Sequence, residues 1–124
     1  MPARDPEQVH ALIAAAFNAG DRDALLELYE PDAALIVPPE GERVRGVDQI
    51  RAAVAPTFAL RPSARIAVLA KLEGDGLALT HARWEMLGDR DGERVRLTGR
   101  GTLVSRRQAD RSWRIVLDNP LSPR

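Results

Sequence analysis

The sequence predicts an α+β fold, with three N-terminal helices packed in one strongly curved, mostly antiparallel sheet. Three observations predict it. Apolar residues recur at helical spacing through the first part of the chain, and the period turns to extended alternation after Pro62. The extended stretches that follow are separated by hairpin-length turns rich in Gly and Asp, the pattern of a meander. Helices first and antiparallel strands afterwards is the α+β arrangement, and 124 residues make a single domain, 1–124.

The first helix begins at Asp5-Pro6-Glu7-Gln8, where Asp5 caps, Pro6 suits the first turn and Gln8 completes a capping box. Val9, Leu12, Ile13, Ala16 and Phe17 then form one apolar stripe, and Gly20 ends it. Asp21 caps a second helix carrying Leu25, Leu28 and Tyr29, stopped by Pro31. Residues 33–37 read as a short strand closed by Pro38-Pro39, and residues 43–45 as a brief extended piece. Gly46 precedes a third helix with Val47, Ile50 and Val54 on one side, which Pro56 is expected to end or kink. Four strands follow at 65–73, 77–87, 94–107 and 113–119, and the sheet wraps the three helices so that both apolar stripes are buried.

Composition narrows the function classes. The 18 basic and 18 acidic residues cancel without a basic face, which argues against nucleic acid and anionic membrane as partners. There is no cysteine, so disulfides and thiolate chemistry are excluded, and two separated histidines give no metal site. No dinucleotide fingerprint appears, and no cofactor is expected. The opening MPARDPEQ lacks a signal h-region and no apolar run reaches spanning length, so the expected location is cytoplasmic.

Centring the hairpin turns near Asp91 and between Ala109 and Asp110 assigns faces, because cross-strand partners share one. Thr80, Ala82, Trp84, Met86, Thr98, Arg100, Thr102, Val104, Trp113, Ile115, Leu117 and Asn119 fall on the face given to the helices. Leu79, His81, Arg83, Glu85, Val95, Leu97, Gly99, Gly101, Leu103, Arg114, Val116 and Asp118 fall on the outer one, whose mixed character suits a subunit interface. A one-residue slip in either turn inverts part of this assignment. His10, early in the first helix, is expected to be exposed.

The stretch FNAGDRDALLELYEPDAALIVPPEGERVRGVDQIRAAV resembles the opening half of the nuclear transport factor two-like superfamily, which includes ketosteroid isomerase and SnoaL-type polyketide cyclases. GRGTLVSRRQADRSWRIVLDNP is similar to a narrower SnoaL-like branch, the SgcJ/EcaC-type proteins found with polyketide and enediyne gene clusters. The resemblance implies a cone-shaped α+β barrel (a cystatin-like roll) with an interior cavity, and a homodimer formed through the outer sheet face. It also sets Val37 where the isomerases carry their base, Ile13 at their tyrosine and Thr102 near their second acid, so proton abstraction by that arrangement is not expected.

Within such a cone, Arg100 would be a fixed cation holding developing negative charge, with Asn119 and Thr102 supplying hydrogen bonds. The alternatives are a structural arginine paired with Asp118, Asp32 or a chain carbonyl, since a buried guanidinium needs an anion, or a solvent-facing residue if the register slips. Asp118 is the nearest carboxylate able to act as a base, although alternation points it outward; Asn119 either orients a ligand carbonyl or closes the strand. Trp84, Tyr29, Thr80, Phe17 and Val37 complete the lining, each also readable as core. The expected function is binding of a small apolar or aromatic molecule, with an acid–base step (cyclisation, isomerisation or hydration) on a polyketide-like or aromatic substrate. The alternative is a non-catalytic dimeric ligand-binding or association module.

Overall fold

The computed structural model describes residues 2–121; residue 1 and residues 122–124 of the expected single domain lie outside the described residues. The helix α1 (Pro6–Ala19) starts where Asp5 accepts a hydrogen bond from the Gln8 amide, and it ends at Gly20 in the left-handed region at φ 66°. The short helix α2 (Arg22–Leu26) is capped by Asp21. The strand β1 (Tyr29–Val37) follows, then β2 (Glu42–Arg45) and the helix α3 (Val47–Ala59). Four long strands complete the chain: β3 (Ser63–Gly74), β4 (Leu77–Arg90), β5 (Glu93–Arg107) and β6 (Trp113–Asn119). They form one six-stranded sheet in the order β2-β1-β6-β5-β4-β3, antiparallel except where β1 runs beside β6.

Two elements differ from the sequence reading. Tyr29 opens β1 instead of closing a helix, because it pairs with Ile115; an irregularity between Tyr29 and Ala34 absorbs Pro31-Asp32. Helix α3 continues through Pro56 to Ala59. Pro56 is exposed, while Phe58 beyond it is buried and stacks on Phe17 with ring centroids 4.7 Å apart, an attraction that favours continuing the helix.

The core lies between the helices and the concave face of the sheet. Val9, Ile13 and Phe17 of α1 meet Ile50, Val54 and Phe58 of α3 over Leu35, Ala78, Leu103 and Ile115. The edge strand β3 is tied to α1 by Asn18, whose amide accepts from the Ala64 N–H at 2.6 Å and donates to its C=O at 3.2 Å. Lys71 adds an ion pair to Glu7 at 3.0 Å, which holds the Glu7 carboxyl below its usual range.

The sheet register differs from the expected one. The β4–β5 turn is a two-residue hairpin, Asp91-Gly92, with both residues at positive φ (53° and 83°), so Arg90 pairs with Glu93 and Trp84 with Gly99. The expectation paired Trp84 with Thr98. That one-residue shift moves Thr98, Arg100, Thr102 and Val104 to the outer face and brings Leu97, Gly99, Gly101 and Leu103 inward. Between β5 and β6, Ser105 pairs with Ile115 but Val104 pairs with Leu117, so Val116 has no partner of its own. This bulge leaves Trp113 and Ile115 inward, as expected, and reverses the residues after it.

A buried carboxylate and tyrosine on the concave face

The bulge at Val116 decides what the end of β6 presents. Asp118 pairs with the inward Leu103 on one side and the buried Leu35 on the other, so it faces the concavity. The expected outward placement is therefore corrected. Asn119, one residue on, pairs with Thr102 on the outer face, the reverse of its expected position. Its Oδ1 accepts from the Leu121 amide at 3.0 Å, closing the strand with a side-chain-to-backbone bond.

Asp118 Oδ2 accepts a hydrogen bond from the Tyr29 hydroxyl at 2.6 Å. Tyr29 is buried, and the shift of its residue from helix to strand is what turns its side chain toward β6. Burial among apolar neighbours pushes the Asp118 carboxyl up to about 6, although the Tyr29 hydrogen bond pulls it down. Burial and the adjacent carboxylate raise the Tyr29 phenol well above its ordinary value, so it stays protonated and donates at neutral pH. As a residue Asp118 keeps some solvent access, which leaves a path for protons.

A second polar pair lies two strands away in the same cross-strand row, which runs Thr80, Leu103, Asp118, Leu35. Thr80 is buried as expected, and its Oγ1 lies 2.6 Å from His10 Nε2. His10 is 4% exposed, against the expectation of a surface residue, because β3 and β4 curl over α1. Burial pushes its imidazole down to about 4, with Glu7 acting weakly the other way. Next along β5, Ser105 is buried with no hydrogen-bond partner for Oγ among the described residues. Sequence reasoning missed His10 and Ser105; the polar residue on an otherwise apolar helix stripe was the available signal for the first.

Arg100 lies on the outer face, opposite Arg83, and does not point into the concave side where it was expected. Thr102 is also outside, with Oγ1 3.2 Å from His81 Nδ1. Trp84 faces inward and lies across Gly99, and its Nε1 donates to the Pro120 carbonyl at 3.1 Å. Phe17 is core, stacked on Phe58, and Val37 is half-buried against the core at the end of β1. The structure thus brings Asp118 and Tyr29 together, keeps Thr80, Phe17, Val37 and Trp84 on the concave side, and separates Arg100, Thr102 and Asn119 from them. Among the described residues no group of three His, Cys, Asp or Glu could hold a metal ion, and no helix is long and apolar enough to cross a membrane.

Comparison with known proteins agrees with this architecture. A nuclear transport factor 2-like superfamily protein from Salmonella enterica superposes with a TM-score of 0.81 at 21% identity, over 94% of this chain and 87% of that one. A ketosteroid isomerase-like protein from Erwinia carotovora gives 0.77 at 18% identity, covering 94% of each chain. A calcium/calmodulin-dependent protein kinase type II association domain from Thiobacillus denitrificans gives 0.75 at 23% identity, over 98% of both. Each is a likeness of fold, which is the cone-shaped α+β roll. A search of curated proteins returned no match. The model of the SnoaL-like domain matches residues 9–115, and the chain therefore belongs to the SnoaL-like domain family.

Proposed function

We propose that the protein binds a small, mainly apolar organic molecule against the concave face of its sheet and that Asp118 moves a proton on it. The observation that carries this reading is the Asp118 carboxylate, facing the concavity between Leu35 and Leu103 with the Tyr29 hydroxyl 2.6 Å away. A carboxyl titrating at about 6 is ionised at neutral pH yet more basic than an exposed aspartate, which suits a general base. Asp118 takes a proton from a carbon next to a carbonyl, the C–H electrons pass into an enolate, and the carboxylic acid returns the proton elsewhere on the same molecule. Nothing is consumed. Tyr29 is a positioning residue that fixes the carboxylate and does not leave its own proton.

The reading extends to a polyketide-like or aromatic substrate, to membership of the SgcJ/EcaC-type branch and to a bacterial cytoplasmic setting. Hydrogen–deuterium exchange tests it: a panel of aromatic ketones is incubated in D2O and loss of the α-proton signal is followed by NMR. The protein should accelerate exchange of at least one member, and Asp118→Asn should slow it by about a hundredfold or more. Tyr29→Phe should retain activity while moving the pH midpoint upward, because the hydrogen bond that depresses Asp118 is gone. Equal rates for Asp118→Asn and the parent would sink the reading.

The second reading, an association module working through the outer sheet face, rests on a different observation. Leu72, Leu79, Val104 and Leu117 form a continuous cross-strand row on that face. Leu72, Leu79 and Leu117 are 73%, 42% and 50% exposed. A homodimer through this row is compatible with a working concave face and is proposed alongside it.

A further inference from the structure

The chain carries no net charge, yet one band of the outer face is strongly basic. Arg83 and Arg100 are direct cross-strand partners, a placement in which like charges repel. Arg65 lies on the next strand, two residues before Ala67, which pairs with Arg83. Glu85 is the cross-strand partner of Arg65, but among the described residues no carboxylate is within ion-pair distance of Arg65, Arg83 or Arg100. Arg96 completes the band, and it is matched: its Nε and Nη2 both reach Glu85 Oε2, at 2.8 and 2.7 Å.

Arg65, Arg83 and Arg96 border a concavity of about 670 Å³, lined also by Glu85, Thr98, the small Ala67 and the strand segments of Ile66 and Trp84. Arg100 is outside this lining, but it is the cross-strand partner of the lining residue Arg83 and shares its face with Thr98, two residues away on the same strand. The size suits a small organic ligand. Its walls carry three guanidinium forks, which match planar or tetrahedral oxyanions through paired hydrogen bonds. Ala67, opposite Arg83, leaves open the space that a longer side chain would fill.

We propose that this groove is a binding site for a multiply charged oxyanion, a phosphate ester or a polycarboxylate, held by Arg83, Arg100 and Arg65. Arg96 is already neutralised by Glu85 and forms one wall. The bound anion would relieve the repulsion between Arg83 and Arg100, which gives the apposition a purpose that folding alone does not. The site is on the opposite side of the sheet from Asp118 and stands independently of the proposed acid–base chemistry.

Isothermal titration calorimetry with sodium pyrophosphate, and in a second arm with citrate, tests this at fixed ionic strength. At least one arm should saturate at one anion per chain, and the tighter arm assigns the class. Arg83→Ala and Arg100→Ala should each weaken it by about tenfold or more. Arg83→Lys should also weaken it, because lysine lacks the fork. Arg43→Ala, on β2 at the far edge of the sheet, should leave binding unchanged. Thermal melts without anion provide a control for folding, since removing Arg83 or Arg100 should leave stability equal or raised. Saturation in neither arm, binding unchanged in Arg83→Ala, or an equal loss in Arg43→Ala would overturn the proposal.

Discussion

Asp118 is the residue on which burial and charge compete most directly. Its carboxyl titrates at about 6 in the folded chain against an ordinary 3.8, because desolvation outweighs the hydrogen bond from Tyr29. The folded state therefore holds the Asp118 proton more tightly than the unfolded state does. Its contribution to stability is fully present below pH 3.8 and is lost as pH rises through about 6. At neutral pH the ionised carboxylate costs about 3 kcal/mol by that difference. His10 runs the other way: its pKa is pushed down from 6.5 to about 4, so its contribution is lost as pH falls across that window. The two slopes oppose each other between pH 4 and 6, and the parent protein's stability should change little there. Asp118→Asn removes one of them while leaving an oxygen for the Tyr29 hydroxyl. Urea midpoints should then be higher for Asp118→Asn than for the parent at pH 7 to 8, and the gap should shrink steadily toward pH 4. A gap that is constant with pH would show that burial does not raise the Asp118 carboxyl above its ordinary range.

At the scale of elements, the glycines of β5 explain how the sheet accommodates its own tryptophan. A Cβ on Gly99 would lie 2.7 Å from Cζ2 of Trp84, and one on Gly101 would lie 3.0 Å from the Pro120 Cα. Both glycines face inward, so the indole and Pro120 cross β5 where there is no side chain. Gly99→Ala should push the indole off Gly99, break its bond to the Pro120 carbonyl and destabilise the fold by about 1–3 kcal/mol. Gly74→Ala, where nothing lies within 4 Å, should be close to neutral in the same chemical denaturation measurement. If the two variants unfold together, the close approach has no energetic weight. The helix starts, the meander and the inward placement of Trp84 and Thr80 were all legible in the sequence. So was the decisive turn: Asp91-Gly92 is the residue pair that a two-residue primed hairpin favours, and centring the turn between them gives the observed register. Centring it on Asp91 instead inverts β5 throughout and places Arg100 inside. The bulge at Val116 has no comparable signature, since Val116 differs little in type from its neighbours Ile115 and Leu117. Pattern alone therefore could not bring Asp118 into the concavity. Packing of Ile115 and the pairing of Leu117 with Val104 do that, and they are settled by tertiary structure.

For the whole molecule, the outer sheet face divides into bands of different chemistry. The apolar row of Leu72, Leu79, Val104 and Leu117 is separated from the Arg83–Arg100 pair by four residues along each of β4 and β5, about 13 Å of extended chain. Two copies related by a two-fold axis present the same patch to each other. Arginine band against arginine band would be repulsive, whereas the leucine rows can meet face to face and leave water. The apolar row is thus the part of this face able to form a homodimer, and the basic groove would lie toward the rim. Sedimentation velocity at micromolar concentration should give twice the 13.6 kDa chain mass. Leu79→Glu combined with Leu117→Glu should return the monomer, because two carboxylates per copy would be buried in the contact without partners. Both positions are exposed on one chain, so the monomeric variant should keep its circular dichroism spectrum and fold. Raising the salt concentration should not weaken an apolar contact, and Arg83→Ala should leave the mass unchanged. A parent that sediments as a monomer, or a double variant that sediments like a dimeric parent, would remove the leucine row as the site of association.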